Sequence, residues 1–336
     1  MPTTKQVAYT LYFQKGGKLY QLMSACSNLE LSEEKETLAQ TLTFDLASVK
    51  ADGTYIGSIL DPGDIIHLTC NDGDRKGELF RGPIWEANYS HDGRSLSYTA
   101  YDPLIYLKQS KDALYFPKGR DTKQIFETVC NKWGIPLEYT YTTIKHDKVG
   151  GTAPTSLSDF FFERLKEVRD KTHLQWTLLY QDQKLVVRYR GSNQTVYTLT
   201  DNTNLTSAEF RRSMDNVITQ IIITGEASGD KSDESAAPIE ATMKGTTKAR
   251  YGTIQDVKAR EDKQTLAQAK EEAQKTLWEN RLPKNTFLFE SVDYPFMRVG
   301  DIVNVESGAN AGYSKLCVKS ITHNFDDRTM RLELET

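Results

Sequence analysis

The chain has 336 residues and a mass of 38.1 kDa, beyond the roughly 250–300 residues at which one hydrophobic core stops growing, so two or three domains are expected. Counting glycine with the apolar residues gives about 44% (38% plus 21 of 336), close to ordinary folded domains and outside the disordered range. Forty-two basic against forty-six acidic residues leave a net charge of −4 with no Lys/Arg block to track a phosphate backbone, which argues against nucleic-acid binding.

The first hundred residues read as strands. Val7, Tyr9, Leu11 and Phe13 alternate with Ala8, Thr10, Tyr12 and Gln14, and Lys15-Gly16-Gly17 turns them into Leu19 to Met23, a hairpin of period two. Asn71-Asp72-Gly73-Asp74 joins two further strands; it lacks full EF-hand spacing and carries Arg75 and Lys76, so a plain turn is expected rather than a calcium loop. Asp92-Gly93 supplies a tight turn between Ile84–Tyr89 and Ser95–Tyr101. From about residue 110 the period changes. Asp121 and Gln124 precede the stripe Ile125, Phe126, Val129 and Trp133, closed by Gly134 and Pro136, which predicts a short helix. Ser156 and Asp159 form a second capping pattern ahead of Leu157, Phe161, Leu165 and Val168. Two strands follow, Leu174–Tyr180 and Leu185–Tyr189, around a polar turn, and a further strand runs from Val217 to Thr224. The segment 225–240 is an acidic, Gly/Ser-rich loop too poor in apolar residues to fold alone. A third helix is expected over 261–281, with Leu266, Ala269, Ala273 and Leu277 on one face, and Phe287 to Leu334 alternates again as strands.

The longest purely apolar runs, such as Ile221-Ile222-Ile223, span about three residues, too short to cross a bilayer, and Met1 to Gln6 opens no secretory apolar stretch. Neither stable membrane insertion nor export by that route is expected. Cys26, Cys70, Cys130 and Cys317 lie 44, 60 and 187 residues apart, with no CxxC pair, and read as reduced, mostly buried thiols. The Asn-x-Ser/Thr matches at Asn88, Asn193 and Asn204 have no use in a chain that is not secreted.

Two places echo each other. Gly63-Asp64-Ile65-Ile66-His67-Leu68 matches Gly300-Asp301-Ile302-Val303-Asn304-Val305 at an offset of 237, and the acidic turn with Arg94 matches that with Arg328 at an offset of 234. In each copy a Gly-Asp turn starts a strand, a loop follows, and a second strand runs to an acidic turn. Two related β-barrel-like domains, 1–107 and 206–336, are therefore expected to flank an α+β insert, 108–205, giving a mainly β fold. Gly63, Asp64, Gly300 and Asp301 are the positions expected to determine it. Three chains, each carrying two barrels, would make a ring of approximate sixfold symmetry.

The order of these segments, with Gly63-Asp64-Ile65 in the first domain, Thr122–Trp133 and Ser156–Val168 in the insert, and Gly300–Val305 with Ile321–Leu332 at the end, resembles the XkdQ/YqbQ-type tail hub proteins, grouped with contractile-tail baseplate hubs, late-control D proteins and the N-terminal part of VgrG. The resemblance covers almost the whole chain through structural turns and identifies no catalytic residue. It implies a homotrimeric adaptor between a hexameric tail tube and a trimeric central spike, touching other baseplate proteins, with a lumen that passes DNA without binding it. Such a hub would be assembled in the bacterial cytoplasm and end in the particle baseplate. Because the chain ends at Thr336, directly after the second barrel pattern, the spike is expected to be a separate partner.

No enzyme is expected. Phosphate-loop and dinucleotide glycine patterns are absent, so no nucleotide cofactor is implied. His67, His91, His146, His173 and His323 are scattered without metal-ligand spacing. Gly225-Glu226-Ala227-Ser228-Gly229 is not a nucleophile elbow, and Cys130 sits on an apolar stripe rather than beside a base. The competing reading is a monomeric tail-tip protein that binds cell-wall glycan or hydrolyses peptidoglycan with a carboxylate pair, although none of the 46 acids stands out.

Overall fold

The computed structural model describes residues 7–47, 50–51, 54–55, 60–89, 95–151, 153–201, 203–225, 237–261 and 264–336. The chain divides into two compact units, Met1–Glu209 with Phe287–Thr336, and Phe210–Thr286.

The larger unit is built on antiparallel pairing. Its first hairpin, Ala8–Lys15 with Lys18–Gln21, closes through Gly16 and Gly17, both at positive φ (+57° and +78°), as a two-residue loop matched to strand twist requires. Strand Ile65–Asn71 turns into the long strand Lys76–Tyr89. There the Asn71 side chain accepts from Gly73 N (3.1 Å) and Asp72 from Asp74 N (3.0 Å) and Arg75 N (2.6 Å), so these acceptors satisfy the turn's own amides. Lys76–Tyr89 then pairs with Ser95–Tyr101; the Asp92-Gly93 turn lies outside the described residues.

The strands form a 13-stranded sheet. Its order runs Leu205–Ser213, Lys284–Val292, Thr329–Glu335, Lys315–Asn324, Cys26–Glu34, Thr41–Ala47, Ser95–Tyr101, Lys76–Tyr89, Ile65–Asn71, Ala8–Lys15, Lys18–Gln21. Ile302–Glu306 adds to Lys315–Asn324 off this path. The mainly β architecture is as the sequence predicts, but the two ends do not make separate closed barrels. They are joined because Cys26–Glu34 pairs with Lys315–Asn324, from Ser320↔Glu34 to Asn324↔Glu30, and no barrel closes among the described residues.

The two sets share one register. Ile65↔Pro83 and His67↔Arg81 correspond to Ile302↔Cys317 and Asn304↔Lys315. Adding 234 to both members of Ile84↔Ala100 and Glu86↔Thr99 gives Val318↔Leu334 and Ser320↔Glu333, and a bulge interrupts each ladder at that same step. A bulge bends its strand and re-aims the residues beyond it. One sheet face is apolar: Leu31, Leu42, Phe44, Ile66, Phe80 and Tyr98 in the first set, and Phe287, Phe289, Val303, Leu316, Ile321 and Leu332 in the second, are buried. The alternate residues, including Ser32, Thr41, Thr43, Thr99, Thr322 and Asn324, are short, polar and not buried.

In the insert, Thr122–Lys132 starts with a complete capping box: Gln124 N donates to Asp121 Oδ1 (2.9 Å) and Asp121 N to Gln124 Oε1 (3.3 Å). Helix Leu157–Thr172 has only the forward arm, Asp159 N to Ser156 Oγ (3.5 Å), because Asp is one methylene shorter than the Glu that reaches back. Leu157, Phe161, Leu165 and Val168 are fully buried, and Phe161 meets Phe126 with ring centroids 4.3 Å apart. Behind them lies the hairpin Trp176–Gln181 with Lys184–Tyr189, extended in parallel by Leu137–Tyr139.

The smaller unit has a three-stranded sheet, Ile239–Lys244, Gln220–Thr224 and Gln255–Ala259, with Ala269, Ala273 and Leu277 of a helix packed on Ile221 and Ile223. That helix is Leu266–Glu279, shorter than the 261–281 read from the pattern. Thr265 and Gln268 form its capping box, while Glu261 and Gln264 close a separate turn (Gln264 N to Glu261 O, 3.0 Å). Of the acidic segment 225–240, residues 226–236 lie outside the described residues, and the next strand begins at Ile239.

Candidate assembly site

The structure places the two Gly-Asp turns in the same hydrogen-bond geometry. Asp64 N donates to Asp61 O (3.0 Å) and Asp301 N to Arg298 O (3.2 Å). Each aspartate carboxylate accepts from the amide that opens its own turn, Asp61 N at 2.9 Å and Arg298 N at 3.0 Å. Gly63 N reaches Ile84 O (2.8 Å) and Ile84 N reaches Asp64 O (2.8 Å); Gly300 and Val318 repeat both bonds at 2.9 Å. Gly63 and Gly300 carry φ of +98° and +83°, a region that favours glycine. Each turn therefore fixes where its strand leaves the long neighbour, one residue before the bulge.

Their surroundings differ. Asp64 pairs with partly exposed Lys15 (3.3 Å), whereas Asp301 is buried, accepts from Arg188 of the insert at 2.7 Å, and has its carboxyl pushed up by burial despite that arginine. Arg298 bridges strand sets and insert: its Nε pairs with buried Glu33 and its Nη2 donates to Tyr180 O (3.0 Å). Glu33 also accepts from Gln40 Nε2 and from Val299 N (3.2 Å). Next in this network, fully buried Asp102 accepts from Gln40 N (2.9 Å) and Leu104 N (2.8 Å). Elsewhere between the strand sets, Asp293 accepts from Tyr9 OH (2.7 Å) and faces His323 Nδ1 (2.6 Å). The sequence reading found the Gly-Asp pairs but not Glu33, Gln40, Asp102, Arg188 or Arg298; the available signal was Asp102 before Pro103, which marks a turn only.

Burial pushes the Asp102 carboxyl up to about 7. A carboxyl raised in the folded state binds its proton before the unfolded chain does, so its charging destabilises the fold as pH rises from the unfolded value of about 4 to about 7. The loss attributable to Asp102 is expected to approach ~4 kcal/mol across that window and to level off above it. Urea unfolding of the wild type and Asp102→Asn at several pH values checks this; a difference between the two curves that does not change with pH would refute it.

A cleft of about 650 Å³ adjoins the network and is lined by Arg75, Arg188, Arg298, Glu138, Asn193 and Tyr197, among others. Three of its carboxylates are held in ion pairs: Glu138 with Lys184 (3.3 Å), Glu78 with Arg81 (3.0 Å), and Asp301 with Arg188 (2.7 Å). Among the described residues no group of three or more His, Cys, Asp or Glu is placed to hold a metal ion. Burial pushes the thiols of Cys26, Cys70 and Cys130 up to about 12, away from the thiolate a nucleophile requires. Among the described residues no helix is long and apolar enough to cross a membrane.

The large two-faced sheet with its duplicated turns is a fold this chain shares with solved phage tail proteins. The chain belongs to the YQBQ-like family, which matches residues 29–335. It is 25% identical over 248 residues, 71% of this chain and 73% of the relative, to the phage-like element PBSX protein XkdQ of Bacillus subtilis (strain 168). The fold is that of the 43 kDa tail protein of prophage MuSo2 from Shewanella oneidensis: TM-score 0.66, 14% identity, 97% of this chain and 98% of that one. It is also that of E. coli c3393, a type VI secretion component described as similar to bacteriophage T4 tail proteins gp27 and gp5: TM-score 0.53, 11% identity, 99% and 75%.

Proposed function

We propose that this protein is the hub of a tail baseplate: a homotrimeric, non-enzymatic adaptor between a hexameric tail tube and a trimeric central spike. The observation that carries this is the common register of the two strand sets. A chain holding two copies of one strand arrangement offers six equivalent units when three chains assemble, while keeping only threefold symmetry for the spike. Regions 1–107 and 206–336 act as the two tube-like parts, 108–205 as the insert, and Gly63-Asp64 and Gly300-Asp301 as their fold determinants. The polar sheet face forms the lumen. By the strand registers it carries, among others, Glu30, Glu34, Asp45, Glu86, Glu290 and Glu333 with Arg81, Lys315 and Arg331, an acidic excess that repels a passing polyanion rather than binding it. The charged outer helix faces of the insert meet other baseplate proteins. The particle is built in the host cytoplasm.

Light scattering over a concentration series, with and without the spike protein, tests this directly. A mass near three times 38.1 kDa is expected. A monomer under every condition, with pull-down by purified cell wall or loss of its turbidity, would replace this reading with the glycan-binding or hydrolytic tail-tip protein.

A further inference from the structure

Strand Lys315–Asn324 has three neighbours: Ile302–Glu306 along its first half, Thr329–Glu335 on one side, and Cys26–Glu34 along its second half. Its counterpart Lys76–Tyr89 has the first two, Ile65–Asn71 and Ser95–Tyr101. Among the described residues the third is absent, which leaves the edge from Glu86 to Tyr89 open. The missing neighbour has a counterpart of its own. Cys26–Glu34 lies beside Thr41–Ala47, and Leu205–Ser213 lies beside Lys284–Val292 at the end of the sheet. The two strands also read alike, Ser27-Asn28-Leu29-Glu30-Leu31 against Thr206-Ser207-Ala208-Glu209-Phe210. The chain thus contains one complete joint between strand sets and the two separated halves of a second.

We propose that strand Leu205–Ser213 of one chain pairs antiparallel with Glu86–Tyr89 of a second copy, reproducing the joint seen within the chain. The proposal rests on the hub reading and names its interface. Carrying the in-chain register Ser320↔Glu34 to Thr322↔Ser32 across by 234 and 179 residues gives Glu86↔Ser213, Ala87↔Arg212 and Asn88↔Arg211. Lys35 N to Lys319 O (2.8 Å) becomes Met214 N to Trp85 O. Glu86 and Arg211, both exposed, then lie diagonally on one face, an attractive cross-strand pair. The contact is head to tail, the kind that forms a ring when the rotation between successive copies closes. It also covers two strand edges that would otherwise invite unspecific pairing.

The test combines Asn88→Cys and Arg211→Cys in a Cys26→Ser background under mild oxidation. An intermolecular disulfide is expected, with a ladder that stops at the size light scattering gives, while Asn88→Cys with Ser207→Cys gives none. In the unmodified chain those amides of Glu86–Tyr89 that face the open edge, alternating with the ones turned to Ser95–Tyr101, are expected to lose hydrogen-exchange protection on dilution. An oligomer by scattering with neither the disulfide nor that protection would overturn this edge and leave the ring standing. A chain that stays monomeric throughout, spike included, would overturn both.

Discussion

Arg298→Ala is expected to cost about 3–5 kcal/mol in urea unfolding, because it leaves the buried Glu33 carboxylate without its cation. Glu33 cannot turn to water for compensation. Both its oxygens are engaged inside, with Arg298 and Gln40 on Oε1 and Val299 N on Oε2. Arg298→Lys is expected to recover little, since a lysine is a point donor and cannot serve both Glu33 and Tyr180 O as the guanidinium fork does. The double variant Glu33→Gln with Arg298→Met removes both charges and is expected to be markedly more stable than Arg298→Ala alone. A loss under ~1 kcal/mol for Arg298→Ala, typical of an exposed pair, would show that the network does not hold the strand sets together.

Gly300→Ala is expected to destabilise the protein far more than Gly63→Ala, although both glycines occupy the same turn. At Gly63 the cost is backbone strain alone, since an added methyl meets nothing within 4 Å; about 1–2 kcal/mol is expected. At Gly300 the methyl would also run into the side chain of buried Thr177, and such overpacking adds about 1–3 kcal/mol. Thr177→Ala, which removes the two outer atoms of that clash, is expected to return part of the loss in the Gly300→Ala background and none in the Gly63→Ala background. Equal melting shifts for the two glycine variants would contradict this account.

What could be read from the sequence followed from how local its causes are. The Asp121/Gln124 box, the Gly16-Gly17 turn and the Leu157, Phe161, Leu165, Val168 stripe each act within a few residues, and each appears in the structure where it was read. The Gly-Asp echo was visible because a positive φ leaves a glycine in the text. The junction was not. Glu30 meets Asn324 across 294 residues, Arg188 meets Asp301 across 113, and no spacing rule links such positions. For the same reason the joining of the two barrel-like strand sets into one sheet was not legible: alternation says which residues face a core, not which strand occupies the next edge. The helix start was misplaced by a few residues because both Glu261/Gln264 and Thr265/Gln268 offer a cap, and only the second continues into a helix.

The joint between Cys26–Glu34 and Lys315–Asn324 also sets a timetable for synthesis. At roughly 5–20 residues per second on the ribosome, the early strand emerges about 15–60 s before its partner exists. During that interval the nascent chain holds a strand whose Leu29 and Leu31 face and hydrogen-bonding edge are both bare. Cotranslational folding can complete the insert, whose contacts are nearer in sequence, but the central sheet closes only when nearly the whole polypeptide is out. Premature termination close to the 3′ end of the message would therefore remove the last strands and deprive the first ones of their neighbour as well, so a C-terminal truncation should behave as a defect of the whole sheet.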